Sequence, residues 1–364
     1  MQSAIQSYLK IFTRASLLMC ALMLALVTQP AAAAEKKSFK VAWSIYVGWM
    51  PWDYANSSGI LKKWADKYGI KIELTQINDY VESINQYTAG GFDGCVMTNM
   101  DMLTIPSAGG VDSTALIVGD FSNGNDGVII KGKGKKLADI KGLPINLVEL
   151  SVSHYLLARG LDTVGLKERD IKVVNTSDAD IVGAYAATGT KATVTWKPQL
   201  SEILAAPDAQ LVFDSSKIPG EIIDLMVVNS ATLKDNPKFA KALVGAWYET
   251  MAVMTKKDPA AQKALASMAK ASGTDLPGFN SQLATTKMFW TPTEAAAFAE
   301  SPAVIKTMDL VRKFSFDHGL LGKGAKTVDA VGIEFPGGKT LGNTKSISMR
   351  FDASYMKLAA DGKL

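Results

Sequence analysis

The stretch Lys40–Tyr54, KVAWSIYVGWMPWDY, constrains the chain more than any other. Lys40 to Ile45 is a short β-favouring run. Gly48 and Pro51 then break it, and Tyr46, Trp49 and Trp52 crowd the break. From Asp53 the pattern turns helical, with Ile60, Leu61, Trp64 and Tyr68 recurring three to four residues apart until Gly69. A strand, an aromatic loop and a helix in that order begin an α/β unit.

The alternation continues. Strands are predicted at 70–77, 92–98 and 113–119, with a helix at 80–87 and a shorter helical segment ending at Pro106. Regular alternation of this kind predicts mainly parallel sheets flanked by helices, with ligands seated beyond the carboxyl ends of the strands. Asp120–Gly127, DFSNGNDG, is rich in turn formers and reads as the exit from a first domain. A second alternation follows, with strands at 128–131, 144–148, 171–175, 192–196 and 209–213 and helices at 153–164, 179–187 and 199–205. The apolar run 218–229 reads as the return crossover, and helices at 238–254, 259–271, 293–299 and 303–316 as a wrap around the first lobe. The tail beyond Gly322 is poorly patterned. The expected division is 35–124 with 221–364 as lobe 1 and 125–220 as lobe 2.

The N-terminus carries Lys10 and Arg14, an apolar run from Leu17 to Val27, and small residues ending at Ala32–Ala34. This predicts a cleaved export signal over 1–34, too short in its apolar run to span a bilayer comfortably, and hence a periplasmic protein. Cys20 follows Met19 inside the apolar run, a poor setting for lipid attachment. Loss of Lys10 and Arg14 takes the formal net charge from +4 to +2, too small a surplus to imply nucleic-acid binding. Only Cys95 would remain, so no intramolecular disulfide can form and stability must come from the core.

Two lobes joined by two crossovers enclose a cleft, and the strand-end residues reveal its guest. Those residues are Tyr46, Trp49, Trp52 and Asp53 after the first strand, Asn99 and Asp101 after the third, and Glu149, Ser151 and Ser153 in lobe 2. Trp196 ends another lobe 2 strand, and Glu221 and Asp224 mark the return crossover. These positions are aromatic and acidic and include no Arg. Anions are met by Arg or by helix N-termini bearing Ser or Thr, whereas a planar cation is met by carboxylates and stacked aromatic rings. The balance favours a cation or a neutral donor. The expected ligand-binding set is Tyr46, Trp52, Asn99, Asp101, Glu149, Ser151, Ser153, Trp196 and Asp224. Glu149 closes an apolar strand where a bare charge would be costly, so it is either paired or reading a ligand. Asp178 reads as a helix N-cap, and Asp180 suits the helix dipole.

Enzyme readings find less support. His154 and His318 are the only histidines, so a His/Cys zinc site lacks ligands, and no cofactor or metal is expected. No nucleophile elbow, metalloprotease motif or dinucleotide fingerprint is present.

Longer segments carry a resemblance. AWSIYVGWMPWDYA, ALIVGDFSNGND, NLVELSVSHYLLARGL, VVNTSDADIV, TWKPQLSEI and IPGEIIDLMVVN resemble the periplasmic solute-binding proteins of ABC importers, in the branch that includes taurine, alkanesulfonate and thiamine-pyrimidine binders. The same segments, with QINDYVESINQYTAGGFDGCVMTNMD, are similar to the binding proteins encoded beside urea carboxylase. The resemblance spans essentially the whole exported length and implies a two-lobed type II binding-protein fold. It also implies a monomer that delivers a guanidine- or urea-like solute to an inner-membrane ABC permease. Urea, an alkanesulfonate such as taurine, nitrate and a thiamine pyrimidine stay open as ligands. The sulfonate binders hold their anion at a helix N-terminus, where this chain has Glu149 ahead of Ser151. An enzyme resembling the pyrimidine synthases of the same fold would need a cysteine-rich segment, which this sequence lacks.

Overall fold

Two mixed sheets, joined by two chain crossings, organise the protein in a computed structural model that describes residues 36–364. The expected export signal lies outside the described residues. Lys37–Leu364 forms a compact unit.

The first sheet contains β1 (Ser38–Trp43), β2 (Lys71–Gln76), β3 (Gly94–Thr98) and β4 (Ser113–Ser122). The chain then leaves to build the second sheet from β5 (Asp126–Lys131), β6 (Pro144–Leu147), β7 (Lys172–Asn175), β8 (Ala192–Trp196) and β9 (Ala209–Asp214). It returns through β10 (Ile223–Asn229) and completes the first sheet with β11 (Thr286–Met288), β12 (Gly332–Phe335), β13 (Lys339–Leu341) and β14 (Ile347–Phe351). The strand order is β13-β12-β14-β4-β10-β3-β1-β2, with β11 beside β4, and β7-β6-β8-β5-β9 in the second sheet.

The α/β architecture agrees with the sequence, but the sheets are less parallel than the alternation implies. β10 runs antiparallel to both β3 and β4, and β5 antiparallel to both β8 and β9. The cause is geometric. Each is the first strand after a crossing, so it enters its sheet from the edge where the other strands end and must run the opposite way. β3 and β10 are buried along almost their whole length, as strands covered on both faces are.

Helices follow their apolar spacing. The helix Pro237–Met254 buries Phe239, Leu243, Trp247, Met251 and Met254 at intervals of three and four residues against the first sheet. The weakly patterned tail folds into β12–β14 and a helix at Ser354–Ala360. Its short strands gave too few residues for a period to register. The stretch Asp120–Asp126 is also more ordered than its turn-forming composition suggests. β4 continues through Ser122 and β5 starts at Asp126, leaving three residues between the strands. Among the described residues no helix is long and apolar enough to cross a membrane.

Candidate functional site

The carboxyl ends of β3 and β4 and the starts of β5 and β10 meet at one place. Strand register puts Thr98, Asp224 and Asp120 side by side across β3, β10 and β4. In the second sheet Asp126 opens β5 opposite Trp196, which closes β8. Tyr46, Trp49, Thr98, Asp126, Val152, Trp196, Ile222 and Asp224 line a cavity of about 20 Å³. That is room for about one water, so a larger solute can enter only if the two sheets separate locally.

Four aspartates gather here, and all are buried: Asp101, Asp120, Asp126 and Asp224. Among the described residues no Lys, Arg or His forms an ion pair with any of them. Asp101 accepts hydrogen bonds from the Tyr80 hydroxyl at 2.7 Å and the Thr98 hydroxyl at 2.8 Å. The Tyr46 hydroxyl donates to Asp120 Oδ1 at 3.2 Å, and Asn125 Nδ2 donates to that hydroxyl at 3.1 Å. Asp101 Oδ1, Asp120 Oδ2 and Asp224 Oδ2 are buried without a hydrogen-bond partner. A buried polar atom without a partner costs free energy, and three acceptors in one site call for a donor.

The protonation of these acids follows from their burial. Desolvation pushes Asp101 up to about 6, although hydrogen bonds from Tyr80 and Thr98 favour its charge. Burial raises Asp126 to about 7, with the nearby Asp101 charge adding to the rise. Asp120 is pushed up to about 7 by burial, against the hydrogen bond from Tyr46, and Asp224 is raised well above the carboxylate range by burial and by the charges of Asp120 and Asp126. Side by side on adjacent strands, Asp120 and Asp224 cannot both ionise cheaply, so the pair holds a proton until a positive charge replaces it.

Aromatic rings enclose the acids. Tyr46 meets Trp49 edge-on at 5.2 Å, Trp49 lies 5.5 Å from Tyr80, and Tyr80 meets Trp196 edge-on at 5.5 Å. Gly48 makes the approach possible, because a Cβ there would run into the Asp120 carboxylate and the Tyr46 ring.

Of the residues singled out in the sequence, Tyr46, Trp196 and Asp224 line the cavity. Asp101 is buried beside them. Trp52 lies one layer deeper, its ring 5.0 Å from Trp247, and shares a second small cavity with Trp49 and Asp224. Asn99 acts as a clip: its Oδ1 accepts the Ile223 N–H at 3.0 Å and its Nδ2 donates to the Glu221 carbonyl at 3.2 Å, fixing the start of β10. Ser151 caps the helix Val152–Thr163 by accepting the Ser153 N–H at 3.2 Å and donates to the Val148 carbonyl. The Ser153 hydroxyl is buried and unpartnered.

Glu149 requires correction. The strand ends at Leu147, and Glu149 stands in the exposed turn that follows, its backbone N–H bonded to Asn175 Oδ1 at 3.0 Å. A charge at the surface is solvated, so burial gives it no reason to read a ligand. Asp178 caps a helix, but that helix belongs to the other sheet's layer: its Oδ1 accepts the Tyr80 N–H at 3.2 Å. Sequence reasoning missed Asp120, Asp126 and Tyr80, and placed Trp49 at the cleft but outside the expected ligand-binding set. Both acids fall in DFSNGNDG, whose turn-forming composition hid that Asp120 lies within β4 and Asp126 opens β5.

A wider concavity, of about 1250 Å³, lies at the opposite ends of β4 and β10. Among its charged groups, Arg350 pairs with Asp112 at 3.0 Å and also with Glu334, and Lys234, Lys241 and Asp352 line it as well.

The solved structures similar to this chain share its fold. The alkanesulfonate-binding protein of Xanthomonas axonopodis pv. citri, bound to MOPS, superposes with a TM-score of 0.66 at 19% identity, covering 82% of this chain and 99% of that one. The periplasmic aliphatic sulphonate-binding protein of Escherichia coli gives 0.64 at 18% identity, over 79% and 94% of the two chains. The periplasmic nitrate-binding protein of Synechocystis PCC 6803 gives 0.57 at 11% identity, over 91% and 99%. No curated protein matches the sequence significantly. The family model that matches, over residues 32–270, is that of the NMT1-like family, and with well over half of its length matched the chain belongs to that family, on the two-lobed α/β fold of periplasmic binding proteins.

Proposed function

We propose that the protein is the periplasmic solute-binding component of an ABC importer and that its cleft captures a small planar cation of the guanidinium type for delivery to a membrane permease. In this reading 35–124 with 221–364 forms one lobe and 125–220 the other, and the two crossings act as the hinge.

The observation that carries the cationic ligand is the four buried aspartates with no basic partner among the described residues. A guanidinium ion is planar, keeps its charge at neutral pH, and offers paired N–H donors on each edge. It supplies the donors that Asp101 Oδ1, Asp120 Oδ2 and Asp224 Oδ2 lack, and its faces suit the rings of Tyr46, Trp49 and Trp196. Urea has the shape without the charge and would leave the acids competing for protons.

The anions named for the structural relatives fit this chemistry poorly. A helix N-terminus is the usual anion seat, and here the first turn of the helix Val152–Thr163 is already capped by the Ser151 hydroxyl, which accepts the Ser153 N–H. A sulfonate or nitrate would also sit among four acids. Capture needs no covalent step: ligand binds in the open cleft, closure brings Asp126 and Trp196 of one sheet onto Asp120, Asp224 and Tyr46 of the other, and the permease meets the closed form.

Calorimetric titration of the protein with guanidinium, urea, taurine and nitrate tests the reading. Guanidinium binding with urea much weaker supports it. Taurine or nitrate binding without guanidinium would leave the importer function standing and overturn the cation.

A further inference from the structure

The only two histidines of the chain, 164 positions apart in sequence, meet on one carboxylate away from the cleft. Glu168 lies between β6 and β7 of the second sheet, next to the helix Val152–Thr163. His318 caps the carboxyl end of the helix Pro302–Asp317, which belongs to the first sheet's layer. His318 Nε2 stands 2.6 Å from Glu168 Oε2, and His154 Nε2 stands 3.2 Å from Glu168 Oε1. The His154 and His318 rings are 5.6 Å apart, and Phe314 lies against both.

A second contact joins the same two layers beside it. Arg159, on the helix Val152–Thr163, grips Glu221 with two hydrogen bonds of 2.8 and 3.0 Å, and the Tyr155 hydroxyl donates to the same carboxylate at 2.6 Å. Glu221 precedes β10. An Arg–Glu pair keeps its charge across the working pH range. A His–Glu pair does not.

We infer that Glu168 and His318 form a proton-operated tie between the two lobes, which draws them together when His318 is charged and lets them part when it is neutral.

Hydrogen bonding at each ring supports the assignment. His318 Nδ1 lies 2.7 Å from the Phe314 carbonyl, which can only accept, so Nδ1 carries a hydrogen. With Nδ1 occupied, Nε2 can donate to Glu168 only in the imidazolium form, and the 2.6 Å separation suits a charge-assisted bond. His154 behaves differently. Its Nδ1 accepts the Leu150 N–H at 3.1 Å, in a turn where Leu150 takes a φ of 63°, so the neutral ring keeps its hydrogen on Nε2, facing Glu168. That tautomer also decides against a metal. The three donors lie within 4.8 Å of one another, as an ion would require, but His154 Nε2 has no lone pair to give.

The surroundings point the same way. The hydrogen bond to Glu168 raises His318 above its ordinary 6.5, against the effect of burial, with the Phe314 carbonyl and the charges of Glu168 and Asp317 adding to the rise. Burial opposes the charge on Glu168, yet the bond and charge of His318, with the His154 ring beside it, outweigh burial and hold the carboxyl at about 2. The other charged side chains along this face are Arg159, Asp162, Lys167, Arg169, Lys313 and Asp317, of both signs.

Small-angle X-ray scattering of the ligand-free protein between pH 8 and pH 5.5 tests the tie, independently of what the cleft binds. The ratio of compact to extended forms should rise at least about fivefold as pH falls, on the scale of a single partly buried charge pair, and His318→Gln and Glu168→Gln should both flatten the response. Imidazole NMR provides the second readout, with two ring signals in total. The His318 midpoint should lie above 6.5 and fall in Glu168→Gln, while His154 shows the Nε2–H tautomer. A scattering profile in His318→Gln that matches the parent, or a His318 midpoint indifferent to Glu168, would overturn the tie. So would micromolar zinc binding that His318→Gln abolishes, which would make the cluster a metal site.

Discussion

Carboxylates in two regions of this molecule meet opposite fates. Behind the cleft, Glu221 is gripped by Arg159 and Tyr155, and Glu168 is held ionised by two histidines. In the cleft, Asp101, Asp120, Asp126 and Asp224 are more deeply buried, have no basic partner among the described residues, and are pushed toward protonation. An acid paired within the protein has its stabilisation built into the fold. Four buried acids gathered around one small cavity, two of them lining it, make sense when the partner comes from outside, because a bare buried charge is otherwise costly.

The sharpest way to break this contrast is to remove one cleft acid. Asp224→Asn should weaken guanidinium binding by about a hundredfold or more, on the order of 3 kcal/mol, the usual loss when one side of a buried charge pair is truncated. Calorimetry measures it. The empty variant should also melt no lower than the parent at pH 8, because the substitution relieves the like-charge contact with Asp120 across β10 and β4. A variant that binds as the parent does would place the cation elsewhere.

Proton linkage gives the next effect. Asp120 and Asp126 rise from an ordinary 3.8 to about 7 in the folded protein, so the folded state binds more protons than the unfolded chain between those values. Their contribution to stability is present in full below about 4 and is lost as pH rises through about 7, so the ligand-free protein should melt lower at pH 8 than at pH 5. A bound cation stabilises the ionised acids and reverses the sign for binding. Guanidinium affinity should rise with pH, by up to about tenfold per unit below pH 7 for each proton released, and calorimetry in buffers of different ionisation enthalpy counts the protons. An anion held at the same place would bind more weakly as pH rises.

This contrast between paired and unpaired acids was only half legible in the sequence. Strand ends could be read from β-favouring runs closed by turn formers, which is why Tyr46, Asp101, Trp196 and Asp224 were within reach. Asp120 and Asp126 were not, because DFSNGNDG has a loop's composition, and whether a residue ends a strand or sits in a turn depends on pairing with β10 and β8, partners about a hundred residues away in one case and seventy in the other. Solvent exposure was equally invisible. Glu149 follows an apolar strand as Asp224 follows Ile223, but a turn carries the first to the surface while β3 and β4 enclose the second. The antiparallel crossing strands were missed for the same reason: strand direction is a property of the route between lobes, not of the local residues.

The aromatic enclosure should matter less than the charges. Trp196→Ala removes one ring from the cavity and should weaken guanidinium about five- to tenfold, near 1 kcal/mol for a partly desolvated cation–π contact, with little change for Trp64→Ala on the far surface.

Glu149→Gln should change least, and it divides position along the chain from position in space. Glu149 stands at a strand-to-helix junction of the second lobe, next to the Ser151 cap, where a ligand contact would be expected from sequence alone. Its exposure and the single backbone bond to Asn175 put its carboxylate in solvent, so neutralising it should leave guanidinium affinity within about twofold and stability within about 0.5 kcal/mol. Calorimetry and thermal melting on this variant and on Asp224→Asn, run side by side, compare two acids that the sequence presents alike. Equal losses would mean that closure brings the Glu149 turn into the cleft and that ligand contacts extend past the buried cluster, whereas a loss confined to Asp224→Asn ties recognition to the acids that lack a partner within the protein.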